Sequence, residues 1–309
     1  MKNSKCFIKL DLFKGFWLLP LAEESREQFS FMTPDGVFTP QRLPQGACNS
    51  ASQFQARMAE IFPDLMNEQL EIWIDDIFGH CDSMESWFHL LKTILERCAK
   101  FGLKLNAAKS FIYMIIAKFC GRIFTEGGVS HDPVRIKALL EIPSPTTAQE
   151  LQQFLLSTQW MSRSIPDYNK LTSELHVLFN QVVEGQSKRT SRVASKIKLT
   201  SWTDIHEKAF KATKEAIGLR TILAYPDPQM VQCVFTDASD LHCSGMVTQI
   251  PEAELNLEVE QQNHVPLGFS GHSFGHSELN WSVADKEAYG IVHTQDVGIF
   301  IYWPREALH

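Results

Sequence analysis

The chain has 309 residues, 44% of them hydrophobic and 21% charged, a balance that excludes wholesale disorder and leaves room for two domains. No run of about 18 apolar residues occurs, which excludes a transmembrane helix, and the start Met1-Lys2-Asn3-Ser4-Lys5-Cys6 lacks the apolar core of a signal peptide, so an intracellular location, cytoplasm or nucleus, is expected. The net charge of −7 is awkward for a nucleic-acid enzyme but does not settle the point, since a local basic face can coexist with acidic surfaces elsewhere.

Taken in chain order, Phe7-Ile8-Lys9-Leu10-Asp11-Leu12 reads as a strand with Asp11 near its end, followed by a turn leading to Gly15-Phe16-Trp17. Gln28 to Thr33 alternates like a strand, and Pro34-Asp35-Gly36 is a turn signal. From Arg42 a Gly-containing loop enters a helix that Asn49 or Ser50 can cap, with Phe54, Met58, Ile61 and Phe62 as its apolar stripe and Pro63 as its stop. Gly46 lets a ligand approach bare backbone. Glu71 to Gly79 is two short apolar runs meeting at two acids, which predicts a β-hairpin with Asp75 and Asp76 at its tip. An ordinary Asp-containing turn is the plain reading. Neighbouring carboxylates on an apolar hairpin repel, however, and a cation between them relieves this. Hard oxygen ligands suit Mg²⁺, with Mn²⁺ as the alternative, and Asp11 is available as a third carboxylate.

Ser83 to Phe101 has helical spacing with Gly102 as its stop, Phe119 to Val129 reads as a hairpin, and Val134 to Gln181 is helical with a break at Pro143-Ser144-Pro145. Residues 182–199 read as a polar linker. Within it Lys188, Arg189, Arg192, Lys196 and Lys198 follow one another without an acid, as a solvated stretch or as a backbone-contacting arm. Trp202 to Leu219 returns to helix, Val231 to Ser239 is a strand carrying Asp237, and Gly245 to Gln249 is the next strand. The seven cysteines form no C-x-x-C pair, and neither His242-Cys243 nor His272 with His276 has a second pair at finger-like spacing, so free thiols are expected.

Three of these segments carry a resemblance. Ile8-Lys9-Leu10-Asp11-Leu12 with Gly15-Phe16-Trp17, Arg42-Leu43-Pro44-Gln45-Gly46 with Asn49 and Gln53-Phe54-Gln55, and Trp73-Ile74-Asp75-Asp76-Ile77 stand in the order of the polymerase core of reverse transcriptases. The sequence resembles the polyproteins of Ty3/gypsy-type LTR retrotransposons. The resemblance implies that Asp11, Asp75 and Asp76 hold catalytic metal, that Phe16 is the steric gate under the incoming sugar, and that Gln45 and Gly46 touch nucleotide. Read from the residues alone, Phe16 is equally a core aromatic beside Trp17. Gly102 to Lys109 is similar to the step after the catalytic hairpin, with Lys109 either near a phosphate or simply exposed. Phe119 to Val129 is similar to the primer grip and Arg135 to Leu155 to the thumb. Departures are Gln45 where Phe is usual, Ser50-Ala51 where Ala-Pro is common, and Ser157 to Ile165, where the thumb pattern fades. Trp202 to Leu219 and Leu223 to Asp227 are similar to the passage into a ribonuclease H-like domain, which implies Asp237 and Glu287 as its metal-binding acids. The fingers segment before the first catalytic strand and the family's later acidic strand are expected to be missing.

The fold class expected is α+β: a palm of antiparallel sheet backed by helices with partial fingers (1–130), a helical thumb (131–181), a linker or connection (182–228) and an incomplete ribonuclease H-like α/β domain (229–309). The implied function is RNA-directed DNA synthesis by two-metal nucleotidyl transfer. RNA or DNA template–primer and dNTPs are the implied partners, other polyprotein segments are possible ones, and a membrane is not among them. The alternative is a catalytically inactive remnant that binds nucleic acid weakly at most. Retained acids favour the first, missing segments and acidic charge the second. A third reading, an unrelated metal-binding α+β protein, requires the ordered motifs to be coincidence.

Overall fold

The computed structural model describes residues 4–184, 194–275 and 277–302, with backbone alone over the last six. The chain forms two compact units, residues 1–127 and 128–309. In the first, a four-stranded antiparallel sheet has the order β4-β5-β1-β6, with β1 Cys6–Asp11, β4 Leu70–Trp73, β5 Asp76–Cys81 and β6 Phe111–Met114. Two one-turn helices, α1 (Gly15–Leu18) and α2 (Glu23–Arg26), follow β1. Two-residue periodicity sorts the side chains of the sheet. Ile8, Leu10, Leu70, Ile72 and Ile77 are buried in one core with Phe54, Met58 and Ile61 of helix α3 (Ser50–Ile61) and Leu90, Ile94 and Cys98 of helix α4 (Met84–Phe101). The opposite face carries Phe7, Lys9 and Asp11 of β1 beside His80, Phe78 and Asp76 of β5, paired in that order. Phe7 and Phe78 stack 5.6 Å apart, and Phe78 meets Phe119 and Phe124 of the β7–β8 hairpin (Ala117–Phe119 and Arg122–Thr125) at 4.8 and 4.9 Å. That face is therefore apolar at one end and acidic at the other.

Local signals explain the boundaries. Ser83 caps α4 by accepting from the Ser86 N–H, and Gly102, at φ 68, closes it. The short strands β2 (Phe31–Thr33) and β3 (Gly36–Phe38) make an exposed hairpin. Neither candidate cap of α3 uses its side chain on the helix N-terminus: Asn49 makes no side-chain cap bond, and the Ser50 hydroxyl donates to the Pro44 carbonyl at 2.7 Å.

The second unit opens with β9 (Gly128–His131) and helices α5 (Pro133–Glu141), α6 (Ala148–Gln159) and α7 (Tyr168–Val183). A Thr147–Glu150 capping box starts α6 after the Pro143-Ser144-Pro145 break. Leu151, Phe154, Leu175, Leu178 and Phe210 form a helical core with Ala194 and Leu199, so the end of the stretch expected as linker is packed. Lys196 and Lys198 are exposed, and Lys188, Arg189 and Arg192 lie outside the described residues. After the helix Asp204–Gly218 come three antiparallel strands, β10 (Met230–Ala238), β11 (His242–Pro251) and β12 (Val265–Ser273), then the helix Val283–Tyr302. All seven cysteines are free thiols. Among the described residues no helix is long and apolar enough to cross a membrane.

Candidate active site

The first site is made where β1 ends and the β4–β5 hairpin turns. Asp11 and Asp76 are direct cross-strand partners, so their side chains leave the same face of the sheet. Trp73 pairs with Asp76, which makes Ile74 and Asp75 the two turn residues. The expected tip is thus corrected by one residue: Asp76 begins β5, and a β-branched residue takes the first turn position. Ile74 sits at φ 55, the left-handed region, which costs an L-residue about 1–2 kcal/mol. Surrounding bonds hold it there. The Ile74 N–H donates to Gln55 Oε1 at 3.0 Å, Gln55 Nε2 donates to the Ile72 carbonyl at 2.8 Å, and the Leu12 N–H donates to the Asp75 carbonyl at 2.8 Å. Gly15 lies against this turn: a Cβ there would stand 3.2 Å from Asp75 Cβ and 3.1 Å from the Phe54 ring. A larger residue there would push Phe54 or Asp75 aside by a few tenths of an ångström.

Electrostatics gather around Asp76. Burial raises its carboxyl above the usual range; Lys9 draws it down, and Asp75 and Asp11 push it up again. Lys9 Nζ is 3.7 Å from Asp76 Oδ1, and Lys109 Nζ is 3.8 Å from Asp11 Oδ2. Ser110 Oγ accepts from the Asp11 N–H at 3.1 Å. Among the described residues, no three His, Cys, Asp or Glu side chains are gathered to hold a metal ion as they stand. The donor set nevertheless fits a divalent cation: the hard carboxyl of Asp76 lies within electrostatic reach of both Asp75 and Asp11, with Lys9 and Lys109 beside them. Sequence reasoning passed over Lys9, although its place two residues before Asp11 puts it on the same face.

The other expected contacts are less gathered. Phe16 is half-buried with its ring 5.1 Å from Phe54, while Gln45 and Gly46 are exposed, Gly46 at φ 94 with open space where a Cβ would be. Phe13 and Trp17 are exposed, and the Lys14 ammonium lies 5.4 and 5.1 Å from their rings.

In the second unit the register separates the two remaining acids. Thr236 and Cys243 face the helix Val283–Tyr302, whose Gly290 packs on them, and Glu287 acts on the Cys243 thiol from that helix. Asp237 pairs with Ser244 on the other face, where Ser244 Oγ donates to Asp167 Oδ1 at 2.7 Å at the start of α7. Asp237 therefore lies on the sheet face turned away from the helix that carries Glu287. His242 bonds Ser273 at 3.1 Å, and His276 lies outside the described residues.

Comparison with known proteins matches residues 1–152 to the family described as reverse transcriptase (RNA-dependent DNA polymerase) and residues 202–296 to the RNase H-like domain found in reverse transcriptase. The Retrovirus-related Pol polyprotein from transposon 297 of Drosophila melanogaster is 28% identical over 94% of this chain and 25% of its own length. The Transposon Tf2-3 polyprotein of Schizosaccharomyces pombe is 24% identical over 94% and 20%. The chain thus spans a quarter or less of these relatives. Among solved structures, a foamy viral protease-reverse transcriptase with double-stranded DNA has a TM-score of 0.76 at 19% identity, covering 96% of this chain and 48% of that one. The same viral enzyme with an RNA/DNA hybrid has a TM-score of 0.77 at 19% identity, covering 97% and 37%. These likenesses establish the fold.

Proposed function

We propose, from the premise that this chain belongs to the reverse transcriptase family of Ty3/gypsy-type retrotransposon Pol polyproteins and carries their reverse transcriptase and RNase H-like domains, that its first unit catalyses RNA-directed DNA synthesis at Asp11, Asp75 and Asp76. The observation that carries this reading is the cross-strand pairing of Asp11 with Asp76, with Asp75 beside them in the turn. Reverse transcriptases generally use divalent metal ions, and here the three carboxylates would hold them, Mg²⁺ first and Mn²⁺ second. Such ions lower the pKa of a primer 3′-hydroxyl and stabilise the pyrophosphate that leaves. The protein's own part is positional. Lys9 and Lys109 balance the carboxylate charge, Phe16 on Phe54 walls the sugar side, and Gln45 with Gly46 offers bare backbone and an amide to the nucleotide. Template–primer and dNTPs are the substrates this assigns.

For the second unit we favour a binding role over cleavage, because Asp237 lies on the sheet face turned away from the helix that carries Glu287. The test of the polymerase reading is primer extension on an RNA template, with Mg²⁺ and with Mn²⁺, by the full chain and by Asp75→Asn/Asp76→Asn. Extension by the parent and loss of at least about a thousandfold in the double variant are expected. A folded parent that extends no primer with either ion contradicts it and leaves the non-catalytic reading.

A further inference from the structure

The sequence pattern singles out Gln55 in the Gln53-Phe54-Gln55 series, and the proposed nucleotidyl transfer gives it no direct part beyond its bonds to the turn. We propose that Gln55 is a positioning residue for the acidic turn, its amide holding Ile74 in the left-handed conformation that sets Asp75 and Asp76 beside Asp11. The inference rests on reading those three carboxylates as one site.

A hairpin closed by two residues needs positive φ in its turn, which Gly, Asn or Asp supply without help. Here Ile74 supplies it at φ 55, and its branched Cβ resists. One planar amide compensates at two points. Gln55 Oε1 accepts from the Ile74 N–H at 3.0 Å, and Gln55 Nε2 donates to the Ile72 carbonyl at 2.8 Å, so the amide spans the bend itself. The seat of that amide is firm, because Phe54 and Met58 of the same helix are fully buried. Phe54 also backs Gly15, which lies against Asp75. Adjacent residues of α3 thus brace the turn from two sides, 54 through Gly15 and 55 through the backbone of 72 and 74.

The rest of the hairpin does not depend on this amide. Leu70 to Trp73 pair with Gly79 to Asp76 along the ladder, and Leu70, Ile72 and Ile77 are buried in the core. Loss of Gln55 therefore frees the turn while leaving the strands, and the carboxyls drift from their common place.

The test uses the full chain with Gln55→Met, Gln55→Glu, Ile74→Gly and the pair Gln55→Met/Ile74→Gly. Hydrogen exchange is followed by mass spectrometry over 70–78, and Mn²⁺ binding by electron paramagnetic resonance. Gln55→Met is expected to keep the parent's circular dichroism, to speed exchange over 70–78, and to weaken Mn²⁺ binding on the order of tenfold. Gln55→Glu keeps the acceptor for Ile74 and is expected to exchange at an intermediate rate; it serves as the folded comparison if Gln55→Met does not fold. Gly takes positive φ unaided, so in the Ile74→Gly background the Gln55→Met loss of Mn²⁺ affinity is expected to shrink severalfold. An equal loss in both backgrounds, or unchanged exchange and Mn²⁺ binding in Gln55→Met, overturns the proposal. Primer extension separates this from the polymerase reading. A parent that extends primers while Gln55→Met behaves identically sinks the positioning role alone. A parent that extends none while exchange and Mn²⁺ binding respond to Gln55 sinks the polymerase reading alone.

Discussion

Single side chains on the sheet's outer face show how position sets chemistry. Phe7, Lys9 and Asp11 occupy alternate places on one strand, and only the last two reach the acidic end. At the apolar end His80 is buried beside Phe7 and shares a hydrogen bond with Ser4 Oγ at 3.0 Å. Burial pushes its pKa down to about 4 from an ordinary 6.5. Between those values the unfolded chain binds a proton that the folded chain refuses. Its contribution to stability is therefore complete above 6.5 and declines as the pH falls towards 4, by up to about 1.4 kcal/mol per pH unit. Denaturant titrations of the parent and of His80→Gln at about pH 7.5 and about pH 5 are expected to show the larger acid-side loss in the parent. Equal losses would place the acid sensitivity elsewhere.

Elements were legible where a local signal marks them. Helix α4 ends at Gly102 as that stop suggests, and α6 begins after the Pro143-Ser144-Pro145 break. The acidic hairpin was visible as a hairpin, but its tip lies one residue earlier than two adjacent acids suggest. The reason is tertiary: Gln55 and Leu12 fix Ile74 and Asp75 from outside the hairpin. Likewise, the sequence places Asp237 on a strand, but its position on the face away from the helix that carries Glu287 follows from the pairing of Asp237 with Ser244, a register no local pattern encodes. The helix Val283–Tyr302 is seated by Gly245, where a Cβ would collide with the Thr294 and Ser270 hydroxyls. Gly245→Ala is expected to cost about 1–3 kcal/mol through overpacking, read as a lowered melting temperature. Gly218→Ala, with open space at its Cβ position, is expected to be neutral or slightly stabilising. A Gly245→Ala variant as stable as the parent would show that the helix does not sit on this glycine.

For the molecule as a whole, a net charge of −7 means that, on the proposed reading, nucleic-acid affinity would come from local cations, and binding to an RNA/DNA hybrid is expected to fall steeply with salt. With Asp237 on the sheet face away from the helix that carries Glu287, cleavage of the RNA strand in an RNA/DNA hybrid is expected to stay at background with Mg²⁺ or Mn²⁺, in a gel assay of the full chain. Cleavage abolished by Asp237→Asn would contradict that placement. On the proposed reading, β1 and the β4–β5 turn, far apart in sequence, build one shared cation site. Mn²⁺ affinity is to be measured for the parent, Asp11→Asn, Asp76→Asn and the double variant. One shared site predicts that each single change weakens binding about tenfold or more and that the double change adds little further. Losses that simply multiply, or single variants that bind Mn²⁺ as the parent does, would contradict a shared site.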